Sequence, residues 1–153
     1  MIAVIDDDES VRKAIARVLR TAGYTCRGFA SGAELLSNWQ SARPECLVLD
    51  LQMPGASGVE VQRQLKASGI NVLTIVITAS DERRAINESL AQGASACLRK
   101  PVDAQTLFAA LELGGMLPER DPMAPAVSKA PSEDLSSTMR GAGTFRDGPS
   151  RPS

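Results

Sequence analysis

An adjacent pair of carboxylates, Asp6 and Asp7, a third at Asp50, a hydroxyl at Thr78 and an ammonium at Lys100 are the side chains here best suited to joint chemistry. Each closes or follows a short apolar run. Ile2 to Ile5 precede the acidic pair, Cys46 to Leu49 precede Asp50, Val72 to Ile77 precede Thr78, and Ala96 to Leu98 precede Arg99 and Lys100. Two carboxylates about 4 Å apart repel by roughly 4 kcal/mol at an effective dielectric near 20, so three with one lysine call for a further cation. Oxygen ligands without His or Cys favour Mg²⁺, which keeps waters and shares itself with phosphate. A lysine, a hydroxyl donor and an ionised carboxylate beside Mg²⁺ suit in-line phosphoryl transfer to that carboxylate. Taken alone, Asp50 also reads as a turn or helix-capping aspartate, and the acidic residues as a surface cluster.

What must bring these residues together is a parallel sheet. Apolar runs without alternation suit strands buried on both faces. Between them lie segments of helical spacing. The first carries Val11, Ile15, Val18, Leu19 and Ala22, with Asp8 a cap and Gly23 a stop. Ser31 to Glu34 form a capping box before Leu35, Leu36 and Trp39, the last read as packing rather than binding. Ser57 or Gly58 opens a helix with Val61 and Leu65 that ends near Gly69. Ile86 and Leu90 mark the next, stopped by Gly93, and Asp103 caps a last helix with Leu107, Ala110 and Leu111. Tyr24 to Phe29, which includes Arg27 and Gly28, fits an edge strand. The expected fold is therefore α/β, a doubly wound five-stranded parallel sheet with five helices. All carboxyl ends of such a sheet lie on one edge, where ligands bind.

Composition narrows the function. The formal net charge of −1 gives no global field toward nucleic acid or membrane, and no apolar run approaches a membrane span of ~18 residues. With no signal segment the expected location is cytoplasmic. Cys26, Cys46 and Cys97 form no metal or disulfide pattern and are expected to be small buried residues in a reducing compartment. The absence of histidine excludes a Ser-His or Cys-His triad. From Gly114 onward six of the nine prolines gather with few large apolar residues, so residues 114–153 are expected to form a disordered tail. Its charges balance, and with neither a basic stripe nor a recognition helix no direct DNA binding is expected.

Residues 1–113 resemble a response-regulator receiver (CheY-like) domain of two-component signalling. The resemblance rests on Asp6-Asp7, on Asp50, Met53, Pro54 and Gly58, on Thr78-Ala79, and on Lys100-Pro101, in that order. Val11-Arg12-Lys13 is similar to receivers that precede a helix-turn-helix DNA-binding domain. The resemblance implies strand order 2-1-3-4-5. It also implies that Asp50 accepts a phosphoryl group from a sensor histidine kinase or histidine phosphotransfer protein. Asp7, Asp50 and the Gln52 carbonyl would bind Mg²⁺ directly, with Asp6 acting largely through water. Lys100 and Thr78 would contact phosphoryl oxygens, Gln52 and Ser80 would set phosphate lifetime, and Lys100-Pro101 would be cis.

Cys97 departs from the family, which usually carries Tyr or Phe there as a switch. With no output domain after the last helix, the expected role is a stand-alone receiver. It would signal to a downstream protein target as relay, sink or adaptor, with dimerisation on phosphorylation left open. It would catalyse its own phosphorylation and dephosphorylation and not act as a turnover enzyme. One alternative is a DNA-binding regulator lacking its output domain. Another is a phosphatase of the haloacid-dehalogenase type, which Asp6-x-Asp8, Thr78 and Lys100 also resemble.

Overall fold

The computed structural model describes residues 1–79, 81 and 83–118. Ser80 and the expected tail from residue 119 on lie outside the described residues. The chain alternates β1 (Ile2–Ile5), α1 (Glu9–Thr21), β2 (Cys26–Phe29), α2 (Gly32–Ser37), α3 (Trp39–Ala42), β3 (Cys46–Asp50), α4 (Gly58–Ala67), β4 (Leu73–Thr78), α5 (Arg83–Ala91), β5 (Ala96–Arg99) and α6 (Ala104–Leu113). The strands pair in parallel in the order β2-β1-β3-β4-β5, so β3 is central and β2 an edge strand.

Alternation of side chains along each strand divides the core into two layers. Ile2, Val4, Cys46, Val48, Ile75 and Ile77 pack with Ile15, Leu19, Leu107 and Leu111 beneath α1 and α6. Ala3, Ile5, Leu47 and Leu49 pack with Phe29, Leu35, Val61 and Leu65 on the opposite face. Leu51, Val59, Val76 and Ala94 continue that face toward α5. Met116, past the boundary expected at Leu113, still packs on the α1–α6 layer, and its carbonyl accepts from the Tyr24 hydroxyl.

The helix starts follow their caps. Asp8 accepts from the N–H groups of Ser10 and Val11, Ser31 from Glu34, Ser57 from Glu60 and Asp103 from Thr106. Three expectations are corrected. Among the described residues there are six helices rather than five, because the second crossover breaks at Asn38, whose side-chain amide donates to the Glu34 carbonyl at 2.8 Å. That local bond competes with helix continuation. Leu90 is 44% exposed, since the inward stripe of α5 runs through Ala85, Ile86 and Ser89 instead. Cys97 is partly exposed at the margin of the small Leu51–Val59–Val76–Ala94 cluster, whereas Cys26 and Cys46 are buried as expected.

Candidate functional site

The centre of the site is the end of β3. Asp50 pairs in register with Ile77, and the next N–H, of Leu51, donates to the Ile77 carbonyl at 3.0 Å. The chain then leaves the sheet through Gln52, Met53, Pro54 and Gly55 and returns at once. The N–H of Gly58 donates to the Leu51 carbonyl at 3.0 Å. A Cβ on Gly58 would lie 2.6 Å from the Asp50 carbonyl oxygen and 2.9 Å from Leu51 Cα. Glycine at this position lets the first turn of α4 rest directly on the backbone of the Asp50 loop.

Asp50 is 2% exposed and Asp6 fully buried, while Asp7 is exposed. One carboxylate oxygen from each of the three lies within 4.8 Å of the others. Asp50 Oδ1 accepts from the Gln52 N–H at 3.1 Å, and Asp6 Oδ1 from the Asp8 N–H at 2.9 Å. Lys100 Nζ stands 2.9 Å from Asp6 Oδ2 and 3.4 Å from Asp50 Oδ2. The Lys100 N–H donates to the Thr78 carbonyl at 2.9 Å, so the β4 end fixes the lysine's backbone. Thr78 itself is buried, and the Lys100-Pro101 peptide is cis.

Burial raises the Asp50 carboxyl above its ordinary value. The Gln52 N–H opposes this, the Asp6 charge adds to it, and the Lys100 ammonium offsets part of it. Burial works against the Lys100 ammonium. The close ion pair with Asp6 and the charges of Asp50 and Asp6 outweigh burial and hold Lys100 above its ordinary value. Three carboxylates thus face one ammonium, and buried Asp6 Oδ2 has no directed hydrogen bond among the described residues. A hard divalent cation fits an all-oxygen donor set of this kind.

The sequence-predicted residues Asp6, Asp7, Asp50 and Lys100 therefore meet at one point of the sheet edge. Thr78 ends the neighbouring strand, and on the pleat it follows Thr74 and Val76, the opposite parity from Ile75 and Ile77. Gln52 is exposed, and Ser80 is outside the described residues. Cys97 lies below the edge, level with Val76, and packs toward the layer that holds Ala85 and Ile86.

The residue profile of the response regulator receiver domain matches positions 2–112. The chain belongs to the response-regulator receiver family. This receiver is 36% identical over 112 residues to the DNA-binding transcriptional regulator NtrC of Escherichia coli (strain K12), covering 73% of this chain and 24% of that protein. It is 40% identical over 108 residues to the response regulator MprA of Mycobacterium ulcerans (strain Agy99), covering 71% of this chain and 47% of MprA. The chain therefore spans about a quarter to a half of these relatives. Its fold is similar to the crystal structure of FixJ-N, with TM-score 0.68 and 33% identity over 72% of this chain and 89% of that one. It is also similar to the chemotaxis protein CheY4 of Vibrio cholerae, with TM-score 0.68 and 27% identity over 73% and 95%. Among the described residues no helix is long and apolar enough to cross a membrane.

Two features of the receiver were not read from its sequence. Arg12 Nη1 donates to the Asp6 carbonyl at 2.7 Å, a tertiary contact that helical spacing does not signal. Arg99 forms an ion pair with Asp81, joining the end of β5 to the loop after Thr78. One expectation is corrected as well. Arg12, Lys13, Arg17 and Arg20 line a groove beside Gly28, a local basic stripe that near-zero net charge conceals. The match of the receiver profile across positions 2–112 sets the phosphatase alternative aside.

Proposed function

We propose that this receiver accepts a phosphoryl group on Asp50 from a histidine of a partner kinase or phosphotransfer protein. The observation that carries the reading is the buried Asp50 carboxylate, 3.4 Å from the Lys100 ammonium and clustered with Asp6 and Asp7 at the end of the central strand. An Asp50 oxygen attacks phosphorus, the bond from phosphorus to the donor's imidazole nitrogen breaks, and that nitrogen keeps the electron pair and takes up a proton. The nucleophile must be ionised, and its burial opposes that. Lys100 supports the anion and then pairs with a phosphoryl oxygen.

Asp7, Asp50 and the Gln52 carbonyl would hold Mg²⁺ directly, with Asp6 acting through water. When bound, the ion withdraws charge from the phosphoryl oxygens and lowers repulsion at the attacking carboxylate. Thr78 donates to a second phosphoryl oxygen, and Gln52 and Ser80 flank the phosphate and set its lifetime. An apolar groove lined by Val11, Ala14, Ile15, Val18, Val102 and Leu107 opens beside Lys100 and suits the approach of a donor protein. The receiver is not a turnover enzyme, and it passes its state on by protein contacts in the cytoplasm.

The test is incubation with Mg²⁺ and acetyl phosphate. One base-labile phosphoryl group should appear on the protein and be lost in Asp50→Asn. A second reading, a receiver serving a DNA-binding output, is favoured by the likeness to NtrC. Sequence-preferring retention of a duplex probe by this chain would support that reading.

A further inference from the structure

We infer that Arg12 is a positioning residue for the carboxylate cluster and that Gly28 is the residue that seats it. The inference rests on the reading that Asp6, Asp7 and Asp50 hold a divalent cation. Asp8 caps α1, and Arg12 follows in its first turn, its N–H bonded to the Asp8 carbonyl at 2.9 Å. Helical side chains lean toward the helix N-terminus, so Arg12 reaches back over the end of β1. There its guanidinium donates to the Asp6 carbonyl at 2.7 Å. The last β1–β2 register pair is Ile5 with Phe29, so this carbonyl lies past the end of the strand ladder.

Its stem crosses β2 at Gly28. A Cβ there would stand 3.1 Å from Arg12 Cδ, 3.2 Å from Cγ and 3.4 Å from Nε. Glycine within a strand weakens it and often marks a close approach, and here the approaching group is the arginine. The other polar groups of Asp6 are held separately. Its N–H donates to the Phe29 carbonyl, Oδ1 accepts from Asp8, and Oδ2 faces Lys100. The Arg12 bond fixes the remaining group, the carbonyl, and with it the peptide plane between Asp6 and Asp7. Asp7 is exposed, and its carboxylate has no hydrogen bond among the described residues. That plane therefore places the Asp7 backbone, and with it the position from which the carboxylate reaches the cluster.

The test is Mg²⁺ affinity, by calorimetric titration of the unphosphorylated chain, for wild type, Arg12→Ala, Gly28→Ala and the double variant. Charge alone predicts that removing a guanidinium beside a cation site tightens binding. Positioning predicts the opposite sign, a loss of about tenfold in Arg12→Ala, the range typical of partners behind metal ligands. Gly28→Ala keeps the charge but displaces the stem, so it should also weaken binding. The double variant should bind no more weakly than Arg12→Ala, because both changes break one contact. Tighter or unchanged binding in Arg12→Ala overturns the inference, as do independent, multiplying losses. A wild type that binds no Mg²⁺, or one whose affinity survives Asp7→Ala and Asp50→Asn, overturns the cation reading together with it.

Discussion

The Lys100 ammonium stands 2.9 Å from Asp6 Oδ2, closer than its 3.4 Å approach to the Asp50 carboxylate it would assist. One cation thus balances two buried carboxylates, and Asp50 receives the weaker share. Burial accordingly raises the Asp50 carboxyl above its ordinary value.

That arrangement makes metal-free stability depend on pH. A raised carboxyl favours the folded state when protonated, and this contribution is lost as pH rises through the folded-state value. Asp50→Asn should therefore stabilise the metal-free protein at pH 7, and the gain should shrink as pH falls toward the ordinary carboxylate range. Urea midpoints at several pH values, in EDTA, check the sign. A gain that grows toward low pH would contradict it.

Gly58→Ala should be costly out of proportion to one methyl group. The atoms that the new Cβ would meet, at 2.6 Å and 2.9 Å, are backbone of Asp50 and Leu51 and cannot rotate away. Overpacking of this kind costs about 1–3 kcal/mol, and the expected loss here lies at the upper end. Phosphoryl acceptance should fall further than stability, because the displaced segment is the Asp50 loop. Denaturant unfolding and acetyl phosphate labelling on the same preparation separate the two effects.

The helix pair α4 and α5 is joined by a buried polar contact. Gln62 Nε2 donates to the Ser89 carbonyl at 3.1 Å, and the Ser89 hydroxyl donates to Gln62 Oε1 at 2.7 Å. Ser89→Ala leaves the Gln62 oxygen buried without that donor, so stability should drop by about 1–3 kcal/mol. Ser89→Thr, which keeps the hydroxyl, should recover part of it. An unchanged unfolding midpoint in Ser89→Ala would show that water replaces the contact.

Much of this was legible in the sequence because buried parallel strands are continuous apolar runs. The ends of those runs mark Asp6, Asp7, Asp50, Thr78 and Lys100. The caps at Asp8, Ser31, Ser57 and Asp103 were legible for a similar reason, since each acts on N–H groups within three residues. What was hidden depends on pairs distant in sequence. Nothing local tells that Gly28 lies under Arg12, that Asp81 meets Arg99, or that the basic residues of α1 border the β2 edge. The exposure of Leu90 was hidden because a stripe through Ile86 fits either Ser89 or Leu90, and the choice depends on Gln62 across the helix pair.

Cys97 is a small side chain, partly exposed and packed toward Ala85 and Ile86. The Arg99–Asp81 ion pair ties the loop after Thr78 to the end of β5, above Cys97. With Mg²⁺ and beryllofluoride as a phosphoryl mimic, amide shifts should change most in residues 50–58 and 78–84. Equally large changes through residues 95–98 and Asp103 to Leu111 would show that strand five relays the signal after all.

Everything proposed for this receiver turns on Asp50 as the phosphoryl acceptor. Its most direct measurement is intact-mass analysis after acetyl phosphate and Mg²⁺, on wild type, Asp50→Asn and Asp7→Ala, followed by peptide mapping after borohydride reduction of the acyl phosphate. One phosphoryl group is expected in the wild type, mapped to Asp50. It should be absent in Asp50→Asn and greatly slowed in Asp7→Ala. An undiminished phosphoryl group in Asp50→Asn would contradict it.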